Sequence, residues 1–117
     1  MKTWTTTRER YQRDSLPVRL GGIAANLARV KSFVRQASCQ GAVCGIIDQS
    51  KWFIEWAAPD TEIDTAVALA ELQLQLSRWQ RHWPEIWEDP VQRRAVAEEA
   101  GAWSNRVLEM SGLLDQK

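Results

Sequence analysis

Residues 16–37, LPVRLGGIAANLARVKSFVRQA, decide the fold. Leu16, Leu20, Ile23, Leu27, Val30, Val34 and Ala37 follow one another at spacings that alternate between four and three. On a helix of 3.6 residues per turn that pattern makes one unbroken apolar seam. Arg19, Asn26, Arg29 and Arg35 fall on the opposite, polar face. Asp14 or Ser15 can cap the start, and Pro17 stands in the first turn, where a missing N–H leaves nothing unpaired. A helix with one long seam has to bury that seam against others, so the rest of the chain is read for partners of matching length.

Three more segments qualify. Val43, Ile46, Ile47, Phe53, Ile54 and Ala57 give a broad apolar side to a helix over about 42–57, which stops before Pro59. Leu69, Leu72, Leu76, Trp79 and Trp83 continue the three-and-four spacing in a helix over about 61–83, with Glu62 and Asp64 in its first turn and Arg78, Arg81 and His82 in its last, as the helix dipole favours. The run Glu71 to Leu76 alternates like a strand, yet it lies in a stretch without Gly or Pro and is read as helix. Pro84 ends that helix, and Glu85 to Glu88 reads as a connector carrying Trp87. Asp89-Pro90 starts the last helix, about 90–114, on the seam Val96, Ala100, Trp103, Val107, Met110 and Leu114, weakened by Gly101.

Four helices joined by short connections make antiparallel neighbours. The expectation is one all-α domain over residues 15–117, an up-down-up-down four-helix bundle, preceded by a polar arm or short extra helix within 1–14. At 117 residues and 44% hydrophobic composition the chain has room for one core and not for two.

Seven tryptophans are the loudest compositional signal. Trp52 and Trp56 are one turn apart, as are Trp79 and Trp83, so each pair shares a helix face. Antiparallel hairpins set the first pair level with Gly21 and Gly22 and the second level with Gly41 and Gly45. Large rings against missing side chains are what close packing favours, so the four are expected as core plugs. Trp87 in its connector and Trp4 in the arm are the tryptophans left over as contact residues.

Charge balances overall, fifteen basic against fifteen acidic residues, which speaks against a protein devoted to bulk nucleic acid or an anionic membrane. The balance hides a split. Residues 1–40 carry eight bases and two acids, and the remainder seven and thirteen. The two fields can satisfy each other inside one molecule; alternatively Arg8, Arg10, Arg13 and Arg19 present an anion-binding face to nucleic-acid phosphates or an acidic partner.

The chemical constellations of enzymes are missing. His82 has no cysteine or serine beside it in an activating pattern, the Glu-x-x-His motif of di-iron bundles does not occur, and Gly21-Gly22 lies inside a helix without the Lys and Ser or Thr of a phosphate loop. Cys39 and Cys44 lie on different faces of a helix, too far apart to bridge, and are expected as small buried hydrophobes with no metal role. Neither an apolar export signal nor a run of about 18 apolar residues is present, so a cytoplasmic protein with no membrane span and no cofactor is expected.

Helix association is the function that remains. Val67, Ala70 and Leu74 form a second apolar strip away from the seam of their helix, and Leu108 lies off the seam of the last one. Strips left over after one bundle closes are buried by another chain. A non-catalytic interaction or adaptor domain follows, self-associating as a homodimer, with a phosphate-backbone or acidic-partner binder as the alternative.

Overall fold

A computed structural model describes residues 2–36 and 40–115, and within them every regular element is helical. In chain order these are α1 (Lys2–Arg13), α2 (Leu16–Arg35), α3 (Gln40–Ala57), α4 (Ile63–Arg81), α5 (Trp83–Glu88) and α6 (Pro90–Ser111), with single 3-10 turns at Ala58–Asp60 and Leu113–Asp115. Ala37 and Cys39 lie outside the described residues, as do the side chains of Trp4 and its neighbours at the start of α1. None of the helices is long and apolar enough to cross a membrane.

The seam of α2 is the centre of the molecule. Leu20, Ile23, Leu27, Val30 and Val34 are all buried, packed chiefly against α6 and α3. Each such aliphatic side chain stabilises the fold by about 1.5–3 kcal/mol on removal from water. On α6 the matching stripe is Val96, Ala100 and Val107, and on α3 it is Val43, Ile47 and Ile54. α4 contributes Leu69, Leu72, Leu76 and Trp79.

Polar contacts set the register of each pair. Ser104 Oγ donates to the carbonyl of Ala24 (2.7 Å), while Leu113 comes against Gly21 and Lys31 against Gly101, so α2 and α6 run antiparallel. Arg19 meets Asp60 beyond the end of α3, and Asn26 Nδ2 donates to Gln49 Oε1 (3.1 Å), antiparallel again. Between α3 and α4, Lys51 Nζ donates to Gln80 Oε1 (2.8 Å) and Gln73 Nε2 to the Lys51 carbonyl (3.1 Å). Between α4 and α6, Trp79 Nε1 donates to Glu99 Oε2 (3.3 Å) and Arg106 faces Glu71 at 3.8 Å.

The helix ends follow from local chemistry. Asp89 caps α6 by accepting the Val91 N–H (2.9 Å), with Pro90 at the first helical position. Beyond Ser111 the chain enters the left-handed region at Gly112 (φ 79°), which suits a residue without Cβ. The helix therefore stops short of Leu114, which is exposed and belongs to no seam.

Several sequence expectations are revised. Of the two readings of the first segment, arm or short extra helix, the helix is the one found, just over three turns long, but it is not a bystander: it joins the core through Tyr11, which stacks on Phe53. α4 ends at Arg81, because His82 leaves the helical region and Pro84 cannot supply the N–H that would continue the ladder. Trp83 accordingly starts α5 and packs on Trp87 at 5.8 Å between ring centroids; it shares no helix face with Trp79.

The glycine plugs are not found. No described atom lies within 4 Å of the Cβ positions at Gly22, Gly41 or Gly45, and at Gly21 the space is taken by Leu113 rather than by a tryptophan. Trp56 is buried among Tyr11, Phe53 and Trp52, and Trp52 itself stays 41% exposed. Cys44 is exposed, on the solvent side of α3, although partial burial holds its thiol above its ordinary pKa.

Candidate interaction face on α4

α4 has two apolar sides. Leu69, Leu72, Leu76 and Trp79 are spent on the core, and the spacing of four, three and four from Ile63 through Val67 and Ala70 to Leu74 marks a second stripe. Its large members are exposed: Ile63 by 76%, Val67 by 52% and Leu74 by 59%. A scattered exposed leucine is ordinary on a protein surface, but three large aliphatics on one helix face make a contiguous patch.

The patch borders a groove. Between α4, the end of α3 and the Ala58–Asp60 turn lies a space of about 540 Å³, with Ile54 and Ala58 on one wall, Ala66, Ala70 and Leu74 on the other, and Pro59 at one end. The turn exists because Pro59 breaks α3, and Thr61 Oγ1 donates to the Ala58 carbonyl (2.8 Å), which fixes the turn as the side of the groove. Small residues at 66 and 70 leave α4 unable to fill the space itself.

One buried acceptor marks the edge of this groove. Gln73 donates to the Lys51 carbonyl and to Glu55 (3.4 Å), yet its Oε1 is buried without a partner among the described residues. A second, smaller groove continues past Gln73 and Glu55 to the exposed indole of Trp52 on α3, lined otherwise by the polar Asp48 and Lys51. Charges sit at the two ends of the patch, with Glu62 and Asp64 at the start of α4 and Arg78 and Arg81 at its finish.

The residues singled out from sequence separate accordingly. Val67 and Leu74 belong to the patch; Leu108 does not, being half-buried against the core on α6. Trp87 is also half-buried, packed on Trp83 and the core, and its carbonyl accepts from Arg93. Arg8, Arg10 and Arg13 are exposed on α1, but Arg19 is not available to an anion: it is buried and its guanidinium donates to Asp60 at 2.9 Å. Its position on the helix suggested solvent, and the packing of α1 and the Ala58–Asp60 turn over it reversed that.

Ile63, Ile54 and Trp52 were missed in the sequence. Ile63 could have been found by extending the 67-70-74 spacing one step back. Ile54 and Trp52 could not, since their place beside α4 depends on how α3 and α4 cross. Among the described residues no group of three His, Cys, Asp or Glu side chains is placed to hold a metal ion. No family model, no curated protein and no solved structure matches this chain.

Proposed function

We propose that this chain is a self-associating helical interaction module whose contact surface is the outer face of α4. The observation that carries the reading is the exposed stripe Ile63, Val67, Leu74 alongside an apolar groove. Two copies related by a twofold axis near Ala70 would set α4 against α4 in opposite directions, with the small residues at 66 and 70 allowing close approach. That arrangement brings Glu62 and Asp64 of each copy to Arg78 and Arg81 of the other, a complementarity that a parallel pairing would lose. The module acts by binding rather than catalysis.

The scaffold presenting this face is read as an up-down-up-down bundle of α2, α3, α4 and α6. Four antiparallel registers support it, α2 with α3, α3 with α4, α4 with α6 and α6 with α2. α1 and α5 would then be additions packed on the outside of α3 and α6.

Light scattering after gel filtration tests the proposal. The expected mass is twice 13.4 kDa for the unaltered chain and 13.4 kDa for Leu74→Glu, with an unchanged helical spectrum. A monomer at all concentrations, or a dimer indifferent to Leu74→Glu and Val67→Glu alike, overturns it.

A further inference from the structure

The end of α2 and the start of α6 bring together cations that the sequence scatters. Lys31 and Arg35 are one turn apart on α2, and Arg93 and Arg94 lie in the first turns of α6. Lys31, Arg35 and Arg94 line one space of about 590 Å³ between the two helices; Arg35, Arg93 and Arg94 line the adjoining one, beside Pro90. Glu98 is the single carboxylate on these walls, and it is ion-paired to none of the four. Arg93 is turned to the Trp87 carbonyl and is partly balanced by Asp89, but Lys31, Arg35 and Arg94 against Glu98 still leave a positive field in a concave place, where field lines focus.

A further observation makes this more than a solvated charge run. The stem of Lys31 lies across Gly101: a Cβ there would fall 3.0 Å from its Cδ and 3.2 Å from its Nζ. The missing side chain at Gly101 lets the lysine lie along α6 unhindered, where a Cβ would press its stem aside by a few tenths of an ångström. Asn105, one turn beyond Gly101, and Gln36, across the adjacent wall, supply uncharged donors.

We infer that this α2–α6 groove binds a small ligand bearing a diphosphate. Arginine forks match phosphate oxygens in pairs, and the two positive charges left after Glu98 and Asp89 are set against the four cations match a diphosphate rather than a single carboxylate. An extended nucleic-acid backbone fits less well. The other basic group, Arg8, Arg10 and Arg13 on α1, sits where Tyr11 meets Arg19, and from Arg19 to Arg35 is about 24 Å of helix. The two groups form no continuous track, and the chain as a whole carries no net charge to hold a long polyanion.

Isothermal titration of the full chain with inorganic pyrophosphate, and separately with ADP, tests the site. One equivalent is expected to bind, more weakly as salt rises. Arg94→Gln is expected to weaken binding about tenfold, as loss of one charge-assisted contact does, and Arg35→Glu with Arg94→Glu to abolish it. Gly101→Ala, which favours the helix but displaces Lys31, is expected to weaken binding while leaving the fold at least as stable. Absence of heat with both anions, or the same affinity in Arg94→Gln and Gly101→Ala, overturns the proposal. So does a short single-stranded oligonucleotide that binds more tightly than ADP with a steeper salt dependence, which would make the groove part of a nucleic-acid surface.

Discussion

Tyr11 lies flat on Phe53, with ring centroids 4.1 Å apart and planes 8° from parallel, and its hydroxyl donates to the carbonyl of Arg19 at 2.9 Å. One side chain thus ties α1 to both α2 and α3. Its burial is why a polar helix with little apolar surface of its own stays docked.

Tyr11→Phe keeps the stack and removes a second hydrogen bond to the Arg19 carbonyl, which lies within the helical ladder of α2, for an expected loss of about 1 kcal/mol. Tyr11→Ala removes the stack as well and is expected to cost about 3 kcal/mol, read from urea midpoints. Burial raises the Tyr11 phenol far above its ordinary 10.0. A group with a raised folded pKa contributes stability that is present below the unfolded value and lost as pH rises past it. Unaltered protein should therefore lose stability above about pH 10 more steeply than Tyr11→Phe; parallel curves for the two would contradict this account.

Arg19 and Asp60 are an unequal pair, since the arginine side chain is buried and the aspartate is 55% exposed. Removing the acid strands a guanidinium whose Nε already lacks a partner. Removing the base leaves a carboxylate free to hydrate. Asp60→Ala is accordingly expected to destabilise by about 1–2 kcal/mol, discounted for the exposure of the aspartate, and Arg19→Met, which keeps the packed stem, by less than about 1 kcal/mol. The reverse order in thermal or urea unfolding would show that the pair is unimportant beside the packing.

Neighbouring glycines of α2 should respond in different ways. At Gly22 a Cβ meets nothing described within 4 Å, so Gly22→Ala is expected to stabilise by about 0.5–1 kcal/mol. At Gly21 it would come 2.5 Å from Leu113 Cδ1, and the leucine side chain would have to leave its place. Gly21→Ala is expected to give no gain, and to recover one when combined with Leu113→Ala. Equal gains at both positions would mean that Leu113 does not rest there.

Asp89 accepts from the Val91 N–H and the Gln92 side chain, and these bonds hold its carboxyl below the ordinary value. Stability from a depressed carboxyl is present above the unfolded pKa and lost as pH falls through the folded one. The acid limb of the unfolding curve should thus be shallower in Asp89→Asn, which keeps an acceptor at every pH. Asp89→Ala should lower the melting temperature at neutral pH as well, through loss of the cap.

Periodicity was enough to find α2, α3, α4 and α6, because each carries a stripe that recurs every three or four residues and therefore depends on local spacing alone. It also picked out Val67, Ala70 and Leu74, since a second stripe on a helix can be counted without knowing what the first one packs against. α1, left open as an arm or a short helix, and α5, read as a connector, were not fixed by it. They carry two or three apolar residues each, too few to show a repeat, and whether Tyr11 or Trp83 enters the core depends on the helices that receive them.

The same division explains the glycines and the charges. A list of small and large residues does not say which meets which, and the pairing of Gly21 with Leu113 and of Gly101 with Lys31 comes from the register of α2 on α6 across about eighty residues of chain. Arg19 sat on a polar helix face and was buried by a turn forty-one positions away, while Lys31, Arg35, Arg93 and Arg94 drew together from two distant segments. Helix formation is a local matter of spacing and caps. Burial and charge clustering are properties of contacts between elements, and those exist only once the helices have packed.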